Sequence, residues 1–303
     1  MSTASGPLVS VCVITYQSAR YVEETLDSIW AQTYANLQLV VSDDGSTDET
    51  VAICQRWLAA HADRFESADL LTVPANTGIT ANANRAFRAG KGEWLKVIAG
   101  DDKLLPNCVA DYVEFAAAHP KADILFADMT AFGDGLSEQS PERYHRFFTR
   151  LSARERWLYL LAYNPYPAPA SFVRRRTFEQ LGGFDESIPL MEDKPFWIKA
   201  TSAGTAMDCL DTITVAYRKH AQSVTKDHSH RNKVGPLRRL TNRNSAAYFL
   251  DQMKRESRWL WTFGVCHYAK KRFASPWAAL LYQLRLVHPY YYYFRRLRRR
   301  LGE

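Results

Sequence analysis

Cysteine is scarce in this sequence, and its spacing fits neither a disulfide framework nor a zinc cluster. The five cysteines are odd in number, far apart and without a Cys-x-x-Cys pair: Cys12, Cys54, Cys108, Cys209 and Cys266. Disulfide scaffolds and structural zinc sites use closely spaced sets of cysteine. Both classes are therefore excluded, and a reducing compartment is expected.

Long apolar runs are also missing. A helix that crosses a membrane needs about 20 consecutive apolar residues, and the closest stretch, residues 273–294, is interrupted at Gln283, Arg285, His288 and Pro289. No basic residue precedes the first apolar run, in MSTASGPLVSVCVITY, so no secretory signal is predicted. We therefore expect a cytoplasmic protein whose only membrane contact is peripheral, at the inner face of the plasma membrane.

Acidic residues become rare towards the C-terminus. Residues 231–303 contain 17 Lys and Arg against 3 Asp and Glu, whereas residues 1–230 contain 22 against 29. The chain has 303 residues, which is long for a single compact domain. We therefore predict two domains: an acidic body over residues 1–227, and a helical, basic, aromatic-rich extension over residues 228–303.

Short apolar, β-branched runs alternate with amphipathic stretches of helical length along the body. The runs are Leu8–Ile14, Leu37–Val41, Leu70–Val73, Trp94–Ala99 and Ile124–Ala127. This alternation predicts an α/β fold with a mostly parallel central sheet flanked by helices. An S-x-x-E pattern, Ser46 and Glu49, predicts a capping box at the start of the second helix.

Two pairs of carboxylates follow predicted strands. Asp43 and Asp44 open DDGSTD, and Asp101 and Asp102 end IAGDD. Open parallel sheets bind ligands at the carboxyl ends of their strands, where a carboxylate pair can hold a divalent cation against diphosphate oxygens. Each segment alone is also compatible with a turn stabilised by aspartate. Two of them at successive strand ends favour a site.

Six segments in a fixed order resemble one enzyme family. They are ITYQSARYVEETLDSIWAQTY, VVSDDGSTDET, NTGITANANRAF, IAGDD, LGGFDES and MEDKPFWIKA, between Val9 and His220. The set is similar to the inverting family 2 glycosyltransferases, which have the Rossmann-like GT-A fold. The resemblance implies transfer of a sugar from a nucleoside diphosphate, UDP by preference, with Mn²⁺ or Mg²⁺ as cofactor. The implied acceptor is a saccharide or a polyprenyl-linked saccharide in surface-polysaccharide synthesis.

The same resemblance implies where the nucleotide-sugar donor binds. It places the base beside Thr15 and Tyr16, and the base or ribose beside Asp43, with Asp44 close by. The N-x-G…N segment that lines the diphosphate and sugar in the family corresponds here to Asn76, Gly78, Asn82, Asn84 and Arg85. From the residues alone, Thr15 and Tyr16 are equally a strand end, and Asn76 a helix cap.

The pair Asp101 and Asp102 corresponds to the family's D-x-D-type motif. Neighbouring side chains in an extended segment point in opposite directions, so we assign Asp102 to the metal and Asp101 to the ribose or the metal. Many relatives carry a further Asp where this chain has Ala99, which leaves fewer acids for the metal. His220, in AYRKHAQSVT, is a third candidate ligand, with Arg218 directed at phosphates; a structural histidine is the alternative.

The resemblance places the catalytic base in the MED segment, residues 191–193. An inverting transfer is a single in-line displacement, in which a carboxylate takes the acceptor's hydroxyl proton on the face opposite the leaving diphosphate. We assign this role to Asp193, and Glu192 is the neighbour most easily confused with it. Alternatively, Asp193 only stabilises the N-terminus of the helix that follows.

The C-terminal segment combines arginine with aromatic residues. Its apolar residues have the spacing of one helix face: Tyr290, Phe294, Leu297 and Leu301. Such a helix could lie on an anionic membrane with this face down. It could equally pack the face on the protein and leave its arginines in solvent. No nucleic-acid partner is predicted, because the body is acidic.

Two other functions fit part of these observations. A sugar nucleotidyltransferase would share the metal and the strand-end acids, but it calls for a glycine-rich phosphate loop, and TYQSARY has no glycine. A catalytically degenerate GT-A scaffold that binds nucleotide would explain Ala99, but not the retention of Asp43, Asp101, Asp102 and Asp193. The sequence therefore favours the glycosyltransferase.

Overall fold

A computed structural model describes residues 6–134, 140–142, 146–188, 190–220, 235–269 and 277–300. Contacts between Cα atoms group the chain into two units: residues 1–144 with 166–226, and residues 145–165 with 227–303. The domain boundary predicted at residues 227 and 228 lies outside the described residues. The second unit also takes in residues 145–165, which the sequence analysis had placed in the body.

One sheet organises the first unit. Its nine strands are β1 (Val9–Thr15), β2 (Leu37–Asp43), β3 (Ser67–Thr72), β4 (Trp94–Ala99), β5 (Lys103–Leu104), β6 (Ile124–Gly133), β7 (Ser140–Glu142), β8 (Ser171–Arg174) and β9 (Met207–Lys219). The order is β3-β2-β1-β4-β8-β6-β9-β5, with β7 paired to β6. The long pairings are parallel, and only short antiparallel pairings involve β5, β7 and β8. The predicted mostly parallel sheet is therefore confirmed.

Helices cover both faces of this sheet. They are α1 (Val22–Trp30), α2 (Thr50–His61), α3 (Ile79–Ala89), α4 (Cys108–Ala118), α6 (Arg175–Gln180) and α7 (Asp193–Ser202). On β1, Val11 and Val13 enter an apolar cluster with Leu26 and other residues of α1, α2 and α4. Cys12 points the other way, with its thiol 3.5 Å from a carbonyl of α3. Alternate residues of β1 are thus buried against helices on opposite faces of the sheet, and this burial holds the helices and the sheet together.

The parallel register brings the ends of β1, β2 and β4 to one edge. Thr15 pairs with Asp43, and Ile14 with Ala99. The backbone N–H of Gly100 donates to the carbonyl of Ile14 at 2.9 Å, which draws the turn after β4 against β1. The segments that carry both acid pairs therefore leave the sheet on either side of Thr15, where open α/β sheets bind ligands.

The second unit is helical. Its helices are α5 (Ala153–Ala162), α8 (Gly235–Glu256), α9 (Arg258–His267), α10 (Trp277–Leu284) and α11 (Pro289–Arg300), with a 3₁₀ turn at Arg285–Val287. A side-chain capping box, Ser152 with Glu155, starts α5. Among the described helices of the whole chain, none combines the length and the apolar character of a membrane span.

The apolar stripe of α11 packs within the second unit. Phe294 and Leu297 are buried, and the ring of Phe294 contacts those of Tyr159, Tyr163 and Phe263. Leu301 lies outside the described residues. The hypothesis that this stripe lies on a membrane is therefore wrong, because aromatic partners on neighbouring helices already bury it. The alternative, a helix packed on the protein with its arginines outward, describes α11.

We expect Phe294→Ala to reduce the free energy of unfolding by about 3–5 kcal/mol, the usual cost of removing a buried phenylalanine side chain. Tyr292→Ala is the matched control on the same helix, because Tyr292 is 54% exposed, and it should change that free energy by less than about 0.5 kcal/mol. Chemical denaturation of both variants measures the difference. Equal effects would mean that Phe294 does not lie in a core.

Candidate active site

Asp43 is buried at the end of β2 and accepts three hydrogen bonds. They come from the hydroxyl of Thr15 at 2.9 Å, and from the backbone N–H and the hydroxyl of Ser46 at 2.8 and 2.5 Å. The predicted capping box of α2 is therefore wrong, because the Ser46 hydroxyl is committed to Asp43. Instead, the carboxylate of Asp48 accepts the backbone N–H of Thr50, the first residue of the helix, at 3.1 Å.

Asp44 organises the loop before α3. Its carboxylate accepts the backbone N–H groups of Thr77 and Gly78 at 3.0 and 2.8 Å and the Thr77 hydroxyl at 2.5 Å. Arg85 of α3 completes the set with an ion pair at 3.3 Å. Gly78 has φ of 95°, a conformation that favours glycine. Asp44 thus fixes the N-x-G loop and leaves little capacity for a direct contact with the nucleotide.

The three asparagines of the predicted donor segment have different partners. Asn82 donates to the carbonyl of Thr15 at 3.2 Å and accepts from Arg85 at 3.0 Å, so it lies at the acid-bearing edge. Asn76 is exposed and accepts the backbone N–H of Gly78 at 3.0 Å. Asn84 is buried and bonded to the backbone of Phe184 in both directions. Asn84 therefore braces the fold, and Asn76 and Asn82 lie at the edge.

Tyr16 stands exposed beside these groups. It follows β1 directly and is 48% exposed. The next residue, Gln17, has φ of 53°; its backbone N–H donates to Ser46 at 2.8 Å, and its side-chain carbonyl accepts from Thr47 and Asp48. The loops after β1 and β2 are thus joined, and together they present the Tyr16 ring to solvent at the strand ends.

Asp101 and Asp102 have contrasting environments. The Asp101 side chain is 28% exposed, and its carboxylate lies 2.9 Å from Nε2 of His220. Asp102 is fully buried: Oδ1 accepts the backbone N–H of Arg218 at 2.8 Å, and Oδ2 accepts no hydrogen bond from any described residue. Burial, and then the charge of Asp101, raise the pKa of Asp102 well above its usual range. Solvent therefore reaches Asp101 and not Asp102.

Arg218 holds the turn that carries this acid pair. Besides its backbone bond to Asp102, its Nε donates to the carbonyl of Asp101 at 2.8 Å. Its guanidinium lies over the rings of Tyr21 and Phe132, at 4.5 and 4.4 Å from their centroids, and pairs with Glu24. These contacts hold the Arg218 side chain against the turn that contains Asp101 and Asp102. Its contact with phosphates stays a prediction.

The Asp101–His220 pair fits a divalent cation that completes its coordination on a ligand. Among the described residues, no three His, Cys, Asp or Glu side chains form a ready-made metal cluster. Mg²⁺ in nucleotide sites is commonly held by one or two carboxylates, with water and substrate phosphates as the other ligands. Asp101 offers an accessible oxygen, His220 a nitrogen beside it, and Asp102 an unsatisfied Oδ2 in the same turn. The donor set therefore fits Mn²⁺ or Mg²⁺.

Asp193 is the first residue of α7, and Glu192 is at the N-cap position, where its side chain makes no capping hydrogen bond. One carboxylate oxygen of Asp193 accepts the backbone N–H of Lys194 at 2.6 Å, as expected at a helix start. Burial, and then the charge of Asp193, raise the pKa of Glu192 to about 8. The loop before α7 is tied to α3 by a bond from the Thr80 hydroxyl to the carbonyl of Ile188 at 3.5 Å. The protonated form of Glu192 is therefore favoured over that of an ordinary glutamate.

The raised pKa of Glu192 predicts a pH-dependent stability. Below about pH 4.5, its usual pKa, Glu192 is protonated in both the folded and the unfolded chain. Between that pH and about 8, only the folded chain keeps the proton, so stability falls as pH rises through this window and is level above it. Glu192→Gln should flatten this part of the profile. Melting temperatures of both proteins from pH 5 to pH 9 test this, and parallel profiles would contradict it.

Sequence reasoning missed the contacts that hold the acids in place. Ser46, three residues after Asp43, could have been found as an aspartate turn. Thr77 and Arg218, the partners of Asp44 and Asp102, lie 33 and 116 residues away in the chain. No local pattern connects them to the acids.

The family model described as "Glycosyl transferase family 2" matches residues 10–182, more than half of the chain. This chain belongs to glycosyl transferase family 2. The match extends over β1 to α6 and includes both acid pairs, and it ends before Asp193 and His220. The resemblance inferred from the six segments is therefore confirmed at the level of the family.

Named relatives support the same family. EpsE of Bacillus subtilis, which is named a glycosyltransferase, is 30% identical over 130 residues, 43% of this chain and 46% of EpsE. MT1568 of Mycobacterium tuberculosis, an uncharacterized protein, is 27% identical over 212 residues, 64% of this chain and 61% of the relative. An uncharacterized glycosyltransferase of Haemophilus influenzae is 22% identical over 262 residues, 82% and 76% of the two chains. This chain thus spans less than two thirds of the first two relatives.

Solved glycosyltransferase structures share the fold. TarS of S. aureus, residues 1–349 in complex with UDP-GlcNAc, aligns with a TM-score of 0.59 at 20% identity, over 87% of this chain and 81% of TarS. The mannosyltransferase PcManGT of Pyrobaculum calidifontis, in complex with GDP-Man and Mn²⁺, aligns with a TM-score of 0.59 at 20% identity, over 98% and 85%. Likeness at this identity shows the fold, and the predicted GT-A architecture is confirmed.

Proposed function

We propose that this family 2 glycosyltransferase moves a sugar from a nucleoside diphosphate, with UDP the expected nucleotide, to a saccharide acceptor with inversion of configuration. The observation that carries the proposal is the single sheet edge where Asp43, Asp44 and the pair Asp101–Asp102 flank the exposed ring of Tyr16. TarS bound to UDP-GlcNAc and PcManGT bound to GDP-Man and Mn²⁺ support a nucleotide-sugar donor and a divalent cation.

The donor would lie along this edge. Tyr16 offers an exposed ring to the base, with Thr15 and Asp43 beneath it, and the loop of Asn76 and Gly78 borders the diphosphate. Asp101 and His220 would hold the cation, and exposure favours Asp101 over Asp102 as its first ligand. The cation would offset the negative charge that develops on the departing diphosphate.

Asp193 would act as the base. Its carboxylate takes the proton of the acceptor hydroxyl while the hydroxyl oxygen bonds to the anomeric carbon and the bond to the diphosphate breaks. The proton ends on Asp193, and the electron pair leaves with the nucleoside diphosphate. Because the raised pKa of Glu192 favours its protonated form, Asp193 is our choice for the member of the pair that accepts the proton.

The acceptor would be membrane-borne, such as a polyprenyl-linked saccharide of surface-polysaccharide synthesis. In place of the buried α11 stripe, the second unit exposes large apolar side chains, among them Trp259 at 68% and Val287 at 70%. His288 connects these two, since its ring lies 6.1 Å from that of Trp259. Exposed arginines on α11 give the same unit a positive surface, which suits anionic lipid. Contact at the inner face of the plasma membrane is proposed on this basis.

Nucleotide binding tests the proposal. We expect one of UDP, dTDP, GDP and CMP to raise the melting temperature, and only with Mn²⁺; a ligand at about 100 times its dissociation constant adds roughly 2.7 kcal/mol. Binding of that nucleotide without sugar transfer to any saccharide would favour the degenerate scaffold. No shift with any of the four would mean that the acid pairs are only turns.

A further inference from the structure

The second unit contains a cavity that the proposed sugar transfer does not use. Its volume is about 290 Å³, and six residues line it: Tyr163, Tyr291, Phe294, Arg295, Arg298 and Arg299. Tyr163 follows α5, and the other five lie on α11 at spacings of three and four residues, which places them on one side of the helix. Three guanidinium groups and two phenols therefore surround one small space.

Two of the three arginines that line this cavity are not paired with described acids. In the described part of this unit, ion pairs join Arg154 to Glu256 and Arg255 to Asp251. Arg295 and Arg299 take part in no ion pair within the described ranges. The two unpaired guanidinium groups of Arg295 and Arg299 lie one helical turn apart and repel each other, and a bound anion would remove that cost.

A further arginine lies near one of the lining residues, Tyr163. Arg285, in the 3₁₀ turn before α11, is the charge that most strongly lowers the pKa of Tyr163, against the larger effect of burial. Its Nε is buried and has no hydrogen-bond partner among the described residues. A buried donor without an acceptor costs free energy. Arg285 thus adds a positive charge near Tyr163 and a buried donor that lacks an acceptor.

The volume of the cavity and its lining residues limit the ligands that it can bind. Pockets for small molecules usually measure about 300–1,000 Å³, so 290 Å³ suits a phosphate or diphosphate with the beginning of an attached group, and is small for a whole nucleotide sugar. Burial raises the pKa of Tyr163, which therefore keeps its proton and can donate it in a hydrogen bond. Buried Phe294 supplies an apolar floor.

We propose that this cavity is a second anion site, which binds a phosphate or diphosphate group through Arg295, Arg298 and Arg299. Guanidinium groups bind phosphate oxygens with paired hydrogen bonds, which suits three arginines at neighbouring positions. The same chemistry is present in free pyrophosphate and in a phosphate carried on a lipid. Exposed Leu284, Leu286 and Val287 adjoin Arg285 in the chain and favour the lipid-borne group. The site does not depend on sugar transfer.

Two double variants of equal charge test the site. Arg295→Gln with Arg299→Gln removes two lining arginines, and Arg258→Gln with Arg296→Gln removes two exposed arginines that do not line the cavity. Calorimetric titration with inorganic pyrophosphate is performed in EDTA, which suppresses metal-dependent binding at the nucleotide site. Flotation is measured with phosphatidylcholine vesicles, with and without phosphatidic acid. The lining variant should bind on the order of tenfold more weakly than its control, because charge-assisted hydrogen bonds are lost.

Each outcome of these assays either supports the anion site or overturns it. A selective loss of pyrophosphate binding establishes a site for free phosphate groups, and a selective loss only with phosphatidic acid vesicles establishes the lipid-borne source. Equal weakening in the two double variants would reduce the effect to net charge and overturn the proposal, as would no binding of wild type in either assay. Nucleotide-dependent stabilisation, measured in parallel, reports separately on the donor site.

Discussion

Asp193→Asn should reduce the turnover number for sugar transfer by about 10²–10⁴-fold, the usual contribution of a general base, with donor affinity unchanged. Asparagine cannot accept the acceptor's proton. It does keep a side-chain oxygen for the backbone N–H of Lys194, which Asp193 accepts at 2.6 Å, so the start of α7 should be preserved. Steady-state kinetics together with the donor dissociation constant measure both parts of this prediction.

The neighbouring acid provides a matched control for Asp193. Because burial raises the pKa of Glu192 to about 8, its protonated form is favoured, and glutamine resembles that form. Glu192→Gln should therefore change turnover far less than Asp193→Asn. If only Glu192→Gln lost turnover, Glu192 and not Asp193 would be the catalytic base. If Asp193→Asn had normal turnover and a lowered melting temperature, Asp193 would only stabilise the start of α7.

Asp101→Asn should abolish the metal-dependent part of donor binding. The substitution removes the exposed charge beside His220 while keeping the shape of the side chain. At about 100 times the wild-type dissociation constant, the roughly 2.7 kcal/mol of stabilisation by donor and Mn²⁺ should be lost, and sugar transfer with it. Thermal unfolding with nucleotide, with and without Mn²⁺, measures this directly.

The Asp102→Asn variant distinguishes the role of Asp102 in metal binding from that of Asp101. Because the raised pKa of Asp102 favours its protonated form, asparagine resembles that form and can still accept the backbone N–H of Arg218. We expect this variant to keep metal-dependent donor binding. If it loses that binding while Asp101→Asn retains it, the buried carboxylate is the ligand, and the cation must enter behind the surface of the turn.

The first half of the sheet could be predicted because its signals are local. Val11 and Val13 belong to one short apolar run and Leu39 and Val41 to another, and each run ends at a polar residue, Thr15 or Asp43. Parallel pairing then places these ends side by side. The long strand β9 was not among the predicted runs, because charged and polar residues such as Asp208 and Asp211 interrupt its apolar residues.

The rest of the site depends on contacts that no local pattern contains. The exposure of Asp101 and the burial of Asp102 follow from Arg218 and His220, which arrive on or after β9 more than a hundred residues later. The apolar face of α11 is a second example of a feature that the local sequence predicts only in part. Its periodicity identified Phe294 and Leu297 as apolar, but whether lipid or protein covers such a face depends on tertiary packing.

The second unit is discontinuous, and this has a consequence for how the chain folds as it is synthesised. α5 leaves the ribosome early, but the residues that cover it, such as Tyr268 and Phe294, come more than a hundred positions later. At about 5–20 residues per second, α5 waits on the order of ten seconds with its apolar side uncovered. During that interval the uncovered apolar side of α5 is open to aggregation, as exposed hydrophobic surface in folding intermediates commonly is.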